Sequence, residues 1–93
     1  MAQTQQVKEL VHFTADWCQP CKRMEPVIAE FILENPDIKY HKIDIEKDKE
    51  DFDYFNKKYH IMSVPTFMGF VDQKLIDVHV GIASSFMLKS LLG

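Results

Sequence analysis

Two cysteines two residues apart, in Trp17-Cys18-Gln19-Pro20-Cys21-Lys22, are the residues of this chain best placed to do chemistry. A thiol pair at this spacing reads as a redox site. In front of it, Val7 to Phe13 is short, apolar and β-branched enough for a strand; behind it, Met24, Val27, Ile28, Phe31 and Ile32 recur at helical spacing. The cysteines therefore belong at a strand-to-helix turn. Pro20 lacks an N–H and suits the first helical turn, where backbone donors have no intrahelical acceptor. Those donors and the helix dipole favour negative charge, so Cys18, just outside the helix, is expected to ionise more easily than an ordinary thiol and to be the nucleophile. Cys21, in the first turn on the same helix face, is expected to be better shielded and to resolve a mixed disulfide.

Two structural readings compete. A staple would close a loop of about four residues, for which the chain-entropy model gives roughly 2 kcal/mol, the small end of what a disulfide contributes. A zinc site needs about four ligands, usually with a second close pair, whereas His12, His41, His60 and His79 stand singly. Redox chemistry is the better use of the pair.

The 93 residues are enough for one domain, read as spanning 1–93, with little core to spare. At 46% hydrophobic and 27% charged, the composition is that of an ordinary globular chain rather than a disordered or fibrous one. No apolar run approaches the roughly 20 residues of a membrane span. The opening Met1-Ala2-Gln3-Thr4-Gln5-Gln6 has neither the basic nor the apolar region of a signal peptide. The protein is therefore expected in the reducing cytoplasm, with the cysteines resting mostly as a dithiol. A net charge of −3 argues against nucleic acid as the main partner. Lys22 and Arg23 are either a local basic spot or simply a solvated helix face.

The first strand is read at Leu10 to Thr14, and the helix from about Pro20 ends at the stop signal Asn35-Pro36. Pro26 lies inside it, removes a hydrogen bond and is expected to kink it. Ile38 to Ile45 is a second strand, with Tyr40, Lys42 and Asp44 on one face; its mixed faces suggest a sheet edge. Asp48 is expected to cap a helix over Lys49 to Tyr59 with Phe52, Phe55 and Tyr59 inward. Thr66 to Val71 and Leu75 to Val80 read as a hairpin turning at Asp72-Gln73. Gly81 breaks the last strand, and Ser84 caps a short helix with Phe86, Leu88, Leu91 and Leu92 on its apolar side. The order β-α-β-α-β-β-α implies an α/β sandwich: a four-stranded mixed sheet with a right-handed parallel βαβ unit and three helices over both faces.

With these residues in place, the chain resembles the thioredoxin family from about Val7 to Leu92. Phe13 to Lys22 is similar to the family's active-site segment, usually WCGPCK, and Pro26 sits where the active-site helix has its proline. Lys57 to Thr66 looks like the stretch ending in proline and threonine, and Gly81 matches the glycine before the last helix. The resemblance implies a minimal thioredoxin fold, without the extra strand and helix with which the family usually begins. It also implies a cis bond at Val64-Pro65 and a substrate surface of Trp17, Gln19, Pro20, Val64 and Pro65. Trp17 is otherwise a packed aromatic, and Met62 is rim or core. Gln19 replaces a usual glycine, which alters the redox potential with a sign left open, and His60 replaces another, implying a left-handed backbone. His12 stands six residues before Cys18, where the family has a buried acid that takes the proton of the buried cysteine. It is either a silent buried histidine or a proton acceptor for Cys21: burial and the nearby Lys42 are expected to disfavour the charged imidazole and leave it neutral at pH 7, and an unperturbed histidine, at about 6.5, suits the transfer better than a carboxylate at about 4.

The function this implies is reduction of protein disulfides: Cys18 attacks, a mixed disulfide forms, and Cys21 releases the substrate. No bound cofactor is implied. The chain has no nucleotide-binding glycine motif, so electrons must come from a separate reductase or a small thiol. A monomer is expected. The competing functions are a disulfide oxidase or isomerase, and an accessory binding module using the Trp17 and Val64-Pro65 surface.

Overall fold

The computed structural model describes residues 6–93, in which the elements run β1 (Lys8–Thr14), α1 (Gln19–Glu34), β2 (Lys39–Asp44), α2 (Lys49–Tyr59), β3 (Thr66–Val71), β4 (Lys74–Val80) and α3 (Ser85–Ser90). The reading of the chain's start as free of a leader falls on Met1 to Gln5, outside the described residues. The sheet order is β2-β1-β3-β4. β1 pairs with β2 in parallel, as the intervening helix α1 requires, and β1–β3 and β3–β4 are antiparallel. This is the four-stranded mixed sheet and three-helix order read from the sequence.

β1 lies inside the sheet and is covered on both faces, which is why its run is apolar rather than alternating. Leu10 packs with Met24, Ile28 and Phe31 of α1, Phe67 of β3 and Leu88 of α3. Val11 and Phe13 point the other way, where Ile43, Met68 and Phe70 meet Phe52, Phe55 and Tyr59 of α2. Phe13 is fully buried, with its ring edge-on to Phe55 at 5.5 Å. Burial of such a ring is worth about 1.5–3 kcal/mol, before the added aromatic geometry. The active-site turn thus hangs between the end of a strand fixed on two faces and a helix fixed on one. No helix among the described residues is long and apolar enough to cross a membrane.

Local chemistry sets the connections. Asp72 and Gln73 both take positive φ, 51° and 68°, the pattern a two-residue hairpin turn demands. His60 ends α2 in the left-handed region, φ 57° and ψ 75°, while Asn56 Oδ1 accepts the next free N–H, from Ile61. Ser84 caps α3, its hydroxyl accepting from Met87 N. Gly69 of β3 is a glycine for a different reason: a Cβ there would overlap the backbone carbonyl of Leu91.

Three sequence expectations are corrected. Asp48 stands at the N-cap of α2, but its carboxylate turns back to accept the N–H of Asp44 at 2.8 Å rather than capping the helix. Phe86 is 80% exposed, because α3 is so short that its inward side is taken by Leu88, with Leu91 and Leu92 just beyond the helix. Ile32 likewise lies outside the buried stripe of α1, which is Cys21, Met24, Ile28 and Phe31. The helix runs through Pro26 as one element.

Candidate active site

Cys18 is the N-cap residue of α1, with extended backbone angles, φ −85° and ψ 108°. Gln19 and Pro20 open the helix, so Pro20 sits where its missing N–H leaves nothing unpaired. The N–H of Cys21 donates to Cys18 Sγ at 3.1 Å. The sulfur of Cys18 thus occupies the place where a capping oxygen normally stands, facing the positive end of the helix dipole. Cys18 and Cys21 are joined as a disulfide with their Cα atoms 5.2 Å apart. The four-residue segment therefore bridges without backbone rearrangement.

The expected difference in shielding is not found: both cysteines are 3% exposed. In the closed disulfide both pack with Ala15, and Ile45 and Val64 lie against them. The two sulfurs differ in their surroundings instead. The carbonyl oxygen of Val64 lies 3.7 Å from Cys18 Sγ, whereas Cys21 lines a cavity of about 220 Å³ shared with His12, Thr14, Glu25, Tyr40 and Lys42. The Val64-Pro65 bond is cis. Pro65 is buried, its carbonyl accepts from Gly81 N at 2.8 Å, and Thr66 Oγ1 donates to Ser63 O at 2.6 Å. These bonds seat the loop against the cysteines.

Around this centre, Trp17 is 60% exposed and its indole N–H donates to Glu46 Oε2 at 3.1 Å, so an open apolar plate is tethered beside the disulfide. Gln19 is exposed and Pro20 half-buried next to it. Met62 is fully on the rim, 89% exposed. Asp16, beyond Trp17, pairs with Lys47, whose hydrogen bond and charge hold the Asp16 carboxyl below its ordinary range.

His12 lies on the other side of the cavity. In the parallel register it pairs with Lys42, and across β3 with Phe67, whose ring stacks on the imidazole at 4.4 Å. It is 3% exposed. Burial first, and then the Lys42 ammonium, push its pKa down from 6.5 to about 4, so it is neutral at pH 7. This corrects the argument that an imidazole near 6.5 suits proton acceptance better than a carboxylate, since the burial that places His12 removes the advantage. Tyr40 went unassigned from the sequence, yet its hydroxyl meets His12 Nδ1 at 2.8 Å. Strand alternation held the signal: Tyr40 shares a face of β2 with Lys42.

A disulfide closed across the first turn of a helix, beside a proline loop and an exposed aromatic plate, defines the class of thiol–disulfide oxidoreductases. The thioredoxin family model matches residues 2–92. A thioredoxin of Mycoplasmoides gallisepticum is 34% identical over 85 residues, covering 91% of this chain and 81% of that protein. A Bacillus subtilis thioredoxin is 34% identical over 92 residues, covering 98% and 85%. Among solved structures, oxidised mitochondrial thioredoxin 3 of Saccharomyces cerevisiae superposes with a TM-score of 0.76 at 28% identity, covering 90% of this chain and 76% of that one. The chain belongs to the thioredoxin family. It is a thiol–disulfide oxidoreductase with Cys18 and Cys21 as its dithiol and protein disulfides as its substrates.

Proposed function

We propose that the two cysteines have fixed and different roles. Reduced Cys18, as thiolate, attacks a substrate sulfur; a Cys18–substrate disulfide forms and the other substrate sulfur leaves. Cys21 then attacks Cys18 Sγ, closing the Cys18–Cys21 bond as the substrate is released, so that the substrate gains the two electrons the dithiol loses. The observation that carries this assignment is the N-cap position of Cys18, where a sulfur anion receives the Cys21 N–H and the helix dipole. Its neighbour, the Val64 carbonyl, suits pairing with an extended substrate backbone. Trp17, Gln19, Pro20, Val64 and Pro65 form the docking surface in this reading, and His12 serves Cys21 from across their common cavity.

A separate reductase or a small thiol restores the dithiol. The chain works as a monomer and in the reducing cytoplasm, the compartment in which a dithiol of this kind runs in the reducing direction. Insulin reduction tests the assignment. Cys18→Ser is expected to abolish turnover, Cys21→Ser to accumulate a mixed disulfide through Cys18, and alkylation of the reduced protein at neutral pH to label Cys18 first. Preferential labelling of Cys21 would overturn the roles.

A further inference from the structure

A neutral imidazole carries one hydrogen, and the partner of one ring nitrogen decides which nitrogen holds it. His12 Nδ1 lies 2.8 Å from the hydroxyl of Tyr40, whereas Nε2 is buried with no hydrogen-bond partner. Between a phenol and a neutral imidazole, the phenol is the stronger acid and the imidazole nitrogen the stronger base. Tyr40 therefore donates and Nδ1 accepts. Burial, and then the charge of Glu25, raise the Tyr40 pKa further, so its proton is in place at every pH at which the protein works. With Nδ1 accepting, the ring hydrogen sits on Nε2. The groups facing the imidazole are Tyr40 and Lys42 from β2, Phe67 from β3, and Cys21 and Glu25 of α1 across the cavity.

The geometry points to Tyr40 as a positioning residue: it holds His12 in its Nε2–H form, so that the neutral ring donates a hydrogen bond toward Cys21 as that sulfur becomes a thiolate. This rests on the reading that His12 serves Cys21, and specifies how. In the disulfide state the buried N–H has no acceptor among the described residues, a costly arrangement. The mixed-disulfide state supplies one. The Cys21 thiol releases its proton to solvent, its thiolate accepts from Nε2–H directly or through a water in the cavity, and it then attacks Cys18 Sγ; the departing substrate thiolate takes up a proton. His12 neither gains nor loses a proton. Accepting one instead would be uphill, because burial and then the Lys42 ammonium make the imidazole a poor base. Lys42 adds its positive charge to the same end, whereas a carboxylate at this position would repel the forming thiolate.

Nitrogen-15 NMR of the His12 ring in the oxidised wild type, together with stopped-flow reaction of reduced protein with an aromatic disulfide that releases a coloured thiolate at each of two steps, tests the inference. The wild type is expected to show Nε2 protonated and Nδ1 accepting. Tyr40→Phe should mix the two tautomers, raise the Cys21 thiol pKa in a Cys18→Ser background, and slow the second release by roughly three- to tenfold, with the first unchanged. His12→Gln, whose amide donates but is no base, should resolve faster than His12→Ala. A wild-type ring protonated at Nδ1, or a Tyr40→Phe variant resolving at the wild-type rate while His12→Ala is slow, overturns the role of Tyr40 and leaves that of His12 standing. His12→Ala resolving at the wild-type rate overturns both.

Discussion

His12 makes the stability of this protein depend on pH between about 4 and 6.5. In the unfolded chain its pKa is near 6.5; in the fold it is about 4, because burial and Lys42 both disfavour the imidazolium. Between these values the unfolded state binds more protons than the folded state. Stability is therefore full above pH 6.5 and falls as pH drops toward 4. Relative to pH 7, the loss attributable to this one residue is about 2 kcal/mol at pH 5 and about 3 kcal/mol at pH 4. A domain's whole stability is of the order of 5–15 kcal/mol, so such a loss is readily measured. The perturbation is His12→Gln, which keeps a polar side chain of similar reach and removes the titration. Guanidinium unfolding of both oxidised proteins across pH 4.5 to 8 gives the difference curve, in which carboxylates common to both cancel. The wild type is expected to lose about 2 kcal/mol against the variant between pH 7 and pH 5. A difference that stays flat to within about 0.5 kcal/mol, or one that grows as pH rises, would refute the assignment of a buried, neutral His12.

Two further outcomes follow from packing. Gly69→Ala drives a methyl group into the Leu91 carbonyl, which is backbone and cannot swing aside; a loss of about 3 kcal/mol, or more than about 10 °C in Tm, is expected by thermal unfolding, and an unchanged Tm would count against this contact. β2 is a sheet edge whose exposed Lys39 and His41, the latter 2.8 Å from Glu9, guard its open backbone groups. Sedimentation is expected to show a wild-type monomer at micromolar concentration and self-association of the Lys39→Val plus His41→Val variant, whereas a wild-type dimer through β2 would contradict the monomeric reading.

Much of this arrangement was legible in the chain itself, because it depends on chemistry local in sequence. Cys18, Gln19 and Pro20 lie at a helix start because a capping group and a residue without an N–H belong there. The apolar run of β1 announces a strand covered on two faces, and the mixed faces of Ile38 to Ile45 announce an edge. Even the His12–Lys42 pairing followed from parallel register. Tertiary structure decided what depends on distance between elements. Periodicity tells which residues share a face, but not how wide that face is or what covers it, so Phe86 and Ile32 read as core and lie exposed. It was the packing of α1 over the sheet that buried His12 and lowered its pKa, and the pairing of β1 with β2 that set it beside the Tyr40 hydroxyl. The acidity of a ring nitrogen is a property of its surroundings, and residues 12, 21, 25, 40 and 42 share a cavity only once two strands and a helix have closed around it.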